Sequence, residues 1–302
     1  LIATRCFEAG DTVLTEVPAL QWPKETPADL IDSFLSAPAS VQAAVLDTAQ
    51  TCPEEAVTVP RAQARAQLAL ELAEAYVGAR AVDLVKALLS IVDHNSHSFE
   101  SGLAIFPTAS KANHSCDPNC GHSTQVGSEL RYYATRAIAE GQQITISYLD
   151  GAWTMSRAAR QSTLLEQKFF TCACVRCSGQ DRSRGVACTD AACGGHTVCC
   201  NDASWQCLRC GTLTQPANMC LAAEEELTAS AAAMQMGTWR GSAADLDRAV
   251  AAVRERLSPT HHLAVEILRA RQTHFPAEGS AVAVQELATL ECAAAGCFSL
   301  EC

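Results

Sequence analysis

The sequence of 302 residues lacks the features that direct a chain to a membrane or to export. No run approaches the ~20 apolar residues that a bilayer-spanning helix needs, so we expect no membrane association. The first residues, LIATRC, contain no basic segment followed by an apolar one, so we expect no secretory signal. They also lack an initiator methionine, which predicts that the chain begins inside a longer protein. With 48% hydrophobic residues, the composition suits one large or two ordinary globular domains.

Basic residues are few and scattered. The 22 lysines and arginines are outnumbered by 33 aspartates and glutamates, which gives a formal net charge of −11. Because affinity for nucleic acid rests on clustered lysine and arginine, we expect no direct nucleic-acid binding. The acidic charge is compatible with a lysine-rich substrate, although many soluble proteins are acidic for no such reason.

Cysteine, in contrast, is abundant and unevenly distributed. Ten of the 17 cysteines fall between residues 172 and 220. A secreted disulfide scaffold would spread its cysteines through a small loop-rich domain, whereas here cysteine-poor helical patterns flank one dense patch with CxxC spacings. This spacing favours metal binding over disulfides.

The first group of cysteines lies in CACVRC and comprises Cys172, Cys174 and Cys177. Tetrahedral zinc takes four ligands, so three thiolates on one tight loop leave a position for a distant residue. Cys116 lies among polar residues in the segment NHSCDPNC, and it could fill that position.

The second group predicts a self-sufficient zinc ribbon within residues 181–216. Its cysteines form two knuckles, in ACTDAACGG and WQCLRCG, and Gly211 closes the second. The predicted ligands are Cys188, Cys193, Cys207 and Cys210. Three residues between the knuckles are possible substitutes: His196, Cys199 and Cys200.

The hydrophobic pattern separates strand-rich from helical parts of the chain. Residues 1–22 predict a β-hairpin around a Glu-Ala-Gly-Asp turn at Gly10, and residues 23–92 predict a helical insert. Strand patterns resume in GLAIFPTAS, ELRYYATRAI and QQITISYL, the last two joined by a turn at residues 139–142. A short helix is expected over residues 153–167.

Residues 217–302 predict successive antiparallel helices, with breaks at Gly241, Pro259 and Pro276. The pairing suggests a repeat-like array of helical hairpins, although no exact repeat is present.

Three motifs, in order, resemble the signature of SET-domain protein lysine methyltransferases: NHSCDPNC, EGQQITISYLD and FFTCACVRC. The resemblance extends to the lineage that also carries a MYND zinc finger, through ATRCFEAGDTVLTEVP, NSHSF and SRAARQSTLLEQKFF. It covers most of the chain. That lineage inserts a cysteine-rich finger after the first strands, whereas the insert here has only Cys52, so the finger is missing.

The resemblance implies an α+β fold in which the Asn-His-Ser-Cys and Ser-Tyr segments cross beside the methyl donor S-adenosylmethionine. The expected parts are SET N-terminal strands (1–22), a helical insert (23–92), a SET catalytic core (93–150), a post-SET zinc segment (151–180), a zinc-ribbon-like segment (181–216) and an all-helical C-terminal domain (217–302).

Tyr148 in ISYLD matches the catalytic tyrosine of the family. The reaction is displacement at a sulfonium methyl by a neutral lysine amine, which must be aligned with the methyl carbon and the sulfur. A free lysine has a pKa of about 10.4, so a dry channel and the sulfonium charge should favour the neutral amine. Tyr148 would orient that amine and line its channel.

The resemblance also implies a set of donor-binding residues: Asn95, Ser110, Asn113, His114, Tyr148 and Phe170. Within that set, Asn113 and His114 would make backbone and side-chain contacts, Asn95 would meet the amino-acid end, and Phe170 would stack on the adenine. The post-SET zinc would be held by Cys116, Cys172, Cys174 and Cys177. With the ribbon, the expectation is two zinc ions per chain.

The sequence departs from the family pattern at two further places. Lys168 stands where a tyrosine is common, two residues before the adenine-stacking aromatic, and this changes the lysine channel. The glycine-rich turn that approaches the donor would lie upstream of Leu1. Because glycine allows close backbone approach, we expect a Gly-x-Gly turn in the natural protein just before this residue.

Two classes of function are compatible with the sequence. The first is methyl transfer to a lysine of a histone or non-histone protein, in the nucleus, the cytoplasm or both, with partner binding through the helical C-terminus. The second is a catalytically silent SET-like zinc protein that acts as an adaptor. A purely structural zinc-ribbon adaptor would leave NHSCDPNC and ITISYLD without a role.

Overall fold

The computed structural model of the chain describes residues 1–23, 26–48, 60–78, 81–99, 102–124, 129–201, 204–216, 218–258 and 261–275. The chain divides into a first unit, Leu1–Tyr148 with Gln161–Cys172, and a second unit, Leu149–Arg160 with Ala173–Cys302. No helix among the described residues has both the length and the apolar character needed to cross a bilayer.

Short strands from distant parts of the sequence build the first unit. They are β1 (Thr12–Glu16), β2 (Leu20–Trp22), β3 (Ser96–Phe99), β4 (Gly102–Ile105), β5 (Asn113–His114), β6 (Cys120–Thr124), β7 (Leu130–Ala134) and β8 (Thr145–Ile146). The sheet orders are β1-β7-β6 and β2-β4-β3, both antiparallel, and β5 pairs with β8 in parallel. Residues far apart in sequence therefore make this part of the fold.

The hairpin predicted for residues 1–22 is wrong, although its turn is present. Gly10 adopts a φ of +92°, and the Asp11 N–H donates to the Glu8 carbonyl oxygen at 3.0 Å. However, Phe7 pairs with Ile138, and β1 pairs with β7. The turn redirects the chain between two partners that lie more than 100 residues downstream, so local alternation identified the strands but not their pairing.

The helical insert is confirmed between β2 and β3. Its helices are α1 (Pro27–Ser36), α2 (Ala39–Leu46), α3 (Pro60–Leu72) and α4 (Val82–Asn95). α1 begins at a capping box in which Thr26 and Asp29 satisfy each other's backbone N–H groups, with Pro27 at the first helical position. Leu30 of α1 and Ile91 of α4 are buried in one hydrophobic core with residues of β2 and β4.

The second unit combines an antiparallel sheet with helices. Its sheet, in the order β12-β11-β10-β9, contains β9 (Asp181–Ala187), β10 (His196–Asn201), β11 (Ser204–Cys207) and β12 (Leu213–Thr214). Its helices include α6 (Val175–Ser178), α7 (Asn218–Gln235), α8 (Ala243–Arg256) and α9 (His262–His274), whereas α5 (Arg157–Lys168) contributes residues to both units. The helices expected between residues 217 and 275 are confirmed. The helix expected after Pro276 lies outside the described residues.

A buried ionic group connects the sheet and helices within the second unit. Arg184 on β9 donates from Nε and Nη2 to the two carboxylate oxygens of Glu224 on α7, at 2.6 and 2.9 Å. The His261 Nε2 atom lies 3.3 Å from the same carboxylate, and the Arg184 guanidinium lies 5.1 Å from the Trp205 ring centre. Burial alone would raise the pKa of Glu224, but His261 and Arg184 together lower it to about 2.

Replacement of Glu224 by Gln should destabilise the second unit at neutral pH by about 2 kcal/mol, because Arg184 and His261 lose a charged partner. The folded pKa is below the unfolded value of about 4.3, so this stabilisation is present above pH 4.3 and is lost as the pH falls towards 2. The difference in unfolding free energy between wild type and Glu224→Gln, measured by denaturant titration, should therefore shrink from pH 6 to pH 3.

The matched control for this measurement is Glu225→Gln, an exposed neighbour on the same helix, which should change stability little at any of these pH values. Loss of zinc in acid would affect all three proteins alike. A difference that stays constant from pH 6 to pH 3 would contradict the ionic role of Glu224.

Candidate active site and thiolate clusters

The parallel pairing of β5 with β8 brings two of the sequence motifs together. Asn113 pairs with Thr145, and His114 pairs with Ile146. Asn119, the second asparagine of NHSCDPNC, reinforces the contact: its Oδ1 accepts from the Thr145 N–H at 2.8 Å, and its Nδ2 donates to the Gln143 carbonyl oxygen at 2.8 Å. The resemblance implied that these segments meet, and the structure confirms it. Sequence reasoning gave Asn119 no role, although it belongs to the motif.

His114 connects the candidate catalytic tyrosine with the first group of cysteines. Its Nδ1 accepts from the backbone N–H of Tyr148 at 2.9 Å, so the ring proton lies on Nε2 when the ring is neutral. Nε2 lies 3.1 Å from the sulfur of Cys116. The imidazole thus positions both neighbours, a role that the sequence did not predict.

Tyr148 is half-buried and its hydroxyl has a defined partner. The O–H donates to the carbonyl oxygen of Ala112 at 2.6 Å. Burial raises the pKa of the phenol above its ordinary value, so Tyr148 stays protonated at neutral pH. It can therefore donate a hydrogen bond, and the free lone pairs of its oxygen can accept one.

Three rings cluster at this point. The ring centres of His114 and Tyr148 are 5.2 Å apart, and that of Phe170 lies 5.9 Å from His114 and 6.4 Å from Tyr148. The preceding residue, Phe169, has a φ of +61°, a left-handed conformation that is costly for a residue with a Cβ. The half-buried face of Phe170 suits stacking with a planar group.

The other predicted donor-binding residues lie close in the fold but have internal partners. Asn95, at the end of α4, is buried and donates from Nδ2 to the Thr48 carbonyl oxygen at 2.7 Å. The Ser110 hydroxyl donates to the Phe106 carbonyl oxygen at 2.8 Å. Asn113 is exposed. The roles of these three residues toward the donor stay predictions.

Lys168 also reaches the site. Its Nζ donates to the carbonyl oxygens of Asp93 and His94, at 2.5 and 3.3 Å. The same ammonium lies 5.6 Å from the ring centre of Tyr148. Lys168 departs from the family pattern in the sequence, and in the structure its side chain lies beside Tyr148, the candidate catalytic residue.

The first four-thiolate cluster has the predicted members. The sulfur atoms of Cys116, Cys172, Cys174 and Cys177 all lie within 4.8 Å of one another, and those of Cys116 and Cys172 are 3.9 Å apart. A tetrahedral zinc site with Zn–S bonds of about 2.3 Å has sulfurs separated by about 3.8 Å, so the set fits zinc.

The zinc-ribbon cluster also has the predicted members: Cys188, Cys193, Cys207 and Cys210. The sulfurs of Cys188 and Cys210 are 4.0 Å apart, and those of Cys193 and Cys207 are 3.7 Å apart. A Cβ on Gly195 would lie 3.0 and 3.1 Å from two of these sulfurs, so only glycine fits there. The possible substitutes do not belong to this cluster, and Cys199 is buried in the hydrophobic core of the second unit.

A third group of potential ligands has a different character. It contains Glu224, His261 and His262. Both oxygens of Glu224 already accept hydrogen bonds from Arg184, and the His262 Nδ1 lies 2.8 Å from Glu266. These contacts occupy the carboxylate of Glu224 and the Nδ1 of His262 without a metal.

Comparison with known proteins identifies the domain that contains His114 and Tyr148. Residues 1–149 match the SET domain. Over 105 residues, 33% of this chain and 24% of the relative, the chain is 36% identical to "Histone-lysine N-methyltransferase SMYD3" of Mus musculus. Over 124 residues, 38% of this chain and 27% of the relative, it is 32% identical to "SET domain-containing protein SmydA-8, isoform B" of Drosophila melanogaster.

A further relative is "Potential protein lysine methyltransferase SET6" of Saccharomyces cerevisiae, 35% identical over 82 residues, which are 27% of this chain and 21% of the relative. The chain thus spans about a quarter of the length of these relatives. The SET-domain match covers just under half of the chain. Several of its relatives are named as lysine methyltransferases or as SET and MYND domain proteins.

Replacement of His114 by Ala should loosen the backbone at Tyr148, because the Tyr148 N–H loses its acceptor. A lost hydrogen bond of about 1 kcal/mol corresponds to roughly fivefold faster amide exchange. Hydrogen exchange of this amide by NMR measures the effect, in protein of unchanged zinc content. The control is His122→Ala on β6, which should leave the Tyr148 amide unchanged, and equal exchange in both variants would contradict the positioning role.

Proposed function

We propose that this protein transfers a methyl group from S-adenosylmethionine to a lysine side chain of another protein. The observation that carries the proposal is the β5–β8 pairing, which sets Tyr148 beside His114 within the residues that match the SET domain. Phe170, which follows α5, packs against both rings. Relatives named as lysine methyltransferases support it.

The donor would be held by the residues around the ring cluster, with Asn113 and His114 along its length, Asn95 at its amino-acid end and Phe170 against its adenine. An aromatic ring with a half-buried face and an exposed amide beside it fit a ligand with both a planar base and polar groups. When bound, S-adenosylmethionine supplies an electrophilic methyl group on a positively charged sulfur.

Tyr148 orients the acceptor amine in this proposal. Its O–H is used by the Ala112 carbonyl, so its oxygen presents lone pairs rather than its proton to the substrate. These lone pairs accept an N–H of the neutral amine, which aims the nitrogen lone pair at the methyl carbon. The half-buried setting limits water that would compete for that amine.

The reaction needs no strongly basic side chain of the protein. The substrate ammonium loses one proton to solvent before reaction. Its nitrogen then forms a bond to the methyl carbon while the carbon–sulfur bond breaks and the electron pair passes to sulfur. The product is a methylated ammonium. Protonated Tyr148 takes no proton in this sequence, in keeping with its raised pKa.

The proposed substrates are lysines of histone or non-histone proteins in the nucleus or the cytoplasm. The net charge of −11 favours a basic protein substrate over nucleic acid. We further propose that the helical part of the second unit binds protein partners. Met219 in α7 and Met236, the residue after its last one, are both exposed.

A second candidate function is that of a catalytically silent, partner-binding SET protein. The observation that favours it is Lys168, whose ammonium lies beside Tyr148 where the family commonly has a tyrosine. Calorimetric titration with S-adenosylmethionine separates the two candidates: micromolar binding favours the enzyme, and no binding favours the adaptor.

We propose two zinc ions per chain, one in each thiolate cluster, and elemental analysis should find both. Cys207→Ser should lose the ribbon ion only, whereas Cys116→Ser should lose the other ion and also weaken S-adenosylmethionine binding, because Cys116 contacts His114. Cys6→Ser, an exposed cysteine outside both clusters, serves as the control. One ion or none in the wild type would show that the ligand assignment is wrong.

Replacement of Tyr148 by Phe should lower methyl transfer about ten- to ten-thousand-fold, because the oxygen that orients the amine is lost. Affinity for S-adenosylmethionine should change by less than about twofold. Transfer of labelled methyl groups to a lysine peptide array measures the first quantity, and calorimetry measures the second. Tyr133→Phe, on the half-exposed surface of β7, is the matched control. Equal transfer by Tyr148→Phe and wild type would place the chemistry elsewhere.

A further inference from the structure

The direction of the Tyr148 hydroxyl depends on the position of one backbone carbonyl. The O–H donates to the carbonyl oxygen of Ala112 at 2.6 Å, so this bond sets where the remaining lone pairs of the oxygen point. Ala112 is buried and directly follows a single 3-10 turn, Ala109–Lys111. Whatever fixes this turn therefore also fixes the hydroxyl of the residue that would orient the acceptor amine.

The carboxylate of Glu16 holds the beginning of this turn. Its Oε1 accepts the N–H of Thr108 at 2.9 Å, and its Oε2 accepts the N–H of Ala109 at 2.8 Å. These N–H groups lie at the start of the turn, where a helical segment offers them no internal acceptor. Hydrogen bonds to an ionised acceptor are stronger than those between neutral groups. A glutamine could not make both, because its amide nitrogen would face an N–H group.

A second side chain, from the strand next to β1, holds the same turn. Tyr132 on β7 is fully buried, and its O–H donates to the Ala109 carbonyl oxygen at 3.1 Å. That carbonyl also accepts the Ala112 N–H at 2.9 Å. Burial, and then Tyr148 and Glu16, raise the pKa of Tyr132, so its hydroxyl stays a donor. Since β1 and β7 pair in one antiparallel sheet, the turn is fixed to regular structure on both counts.

We propose that Glu16 is a positioning residue of the methyl transfer, and that it acts through the turn at Ala109 to set the direction of the Tyr148 hydroxyl. This inference rests on the proposed function. Glu16 lies 93 positions before Ala109 and acts on the reaction without contacting the acceptor amine. Because a misplacement of about 1 Å can lower a rate about a hundredfold, a small displacement of the turn should be visible in catalysis.

The geometric part of the test needs no substrate. The chain contains four tyrosines, so protein labelled with carbon-13 at the tyrosine Cζ gives four NMR signals, which single Tyr→Phe variants assign. The Cζ shift reports the hydrogen bond of the attached hydroxyl. In Glu16→Gln the signals of Tyr148 and Tyr132 should move, whereas that of Tyr133 should stay in place. The matched control is Glu8→Gln, an exposed glutamate that precedes β1, which should move none of the four signals.

The kinetic part separates positioning from general stability. With the array peptide that wild type methylates fastest, and with donor and peptide saturating, Glu16→Gln should transfer methyl groups about ten- to a hundredfold more slowly. The KM of the peptide should change less than about twofold, because the lost effect belongs to the transition state. In a Tyr148→Phe background the same substitution should slow transfer less than about twofold, since the hydroxyl that Glu16 positions is already absent. Glu16→Asp keeps the charge and both oxygens on a shorter side chain, and its rate should lie between those of wild type and Glu16→Gln.

Two results would overturn the inference: an unchanged Tyr148 signal in Glu16→Gln, or the same fold loss of rate with and without Tyr148→Phe. A folding defect would alter all four tyrosine signals together, and Glu16→Asp then supplies both measurements. Absence of methyl transfer and of S-adenosylmethionine binding in the wild type would instead contradict the proposed function, while the Tyr148 signal would still test whether Glu16 controls the hydroxyl.

Discussion

The candidate site depends on one short interaction, the parallel pairing of β5 with β8. Each strand has two residues, yet the pairing fixes His114 next to Ile146 and so brings its imidazole within hydrogen-bonding distance of the Tyr148 backbone. Two strands of this length have little intrinsic stability, and the side chain of Asn119 supplements them with hydrogen bonds to Thr145 in β8 and to Gln143 just before it. His114 contacts both the Tyr148 ring and the sulfur of Cys116. The positions of the tyrosine and of this thiolate therefore depend on the same side chain.

The parts of the site that the sequence predicted are those encoded by local spacing. Thiolates on one loop must lie close together whatever the rest of the chain does, and the ribbon ligands come from two such loops. The helical insert was recognised for a similar reason, because its apolar period is a property of each helix alone. The partner of Cys172, Cys174 and Cys177 was inferred from a missing ligand, and Cys116 does lie with them.

What the sequence could not supply is the partner of each long-range contact. The turn at Gly10 looked like the tip of a hairpin because turn residues specify a local bend and carry no information on distant strands. Likewise, nothing near Lys168 in the sequence shows that its ammonium would end against the last carbonyls of α4. The side-chain role of His114 was hidden for the same reason, since both of its contacts depend on how the chain folds back.

The strand order of the first unit also sets the timing of its folding. Ile2 pairs with Gln143, and Phe7 pairs with Ile138. The first residues of this unit therefore have no pairing partner until residues 138–143 have been synthesised. During synthesis the helices of the insert can form as they leave the ribosome, whereas β1 has no partner until β7 is made and β5 has none until the chain has passed Thr145. A chain that stalls or is cleaved before that point would expose strand edges prone to aggregation, and the proposed reaction centre would be among the last parts to assemble.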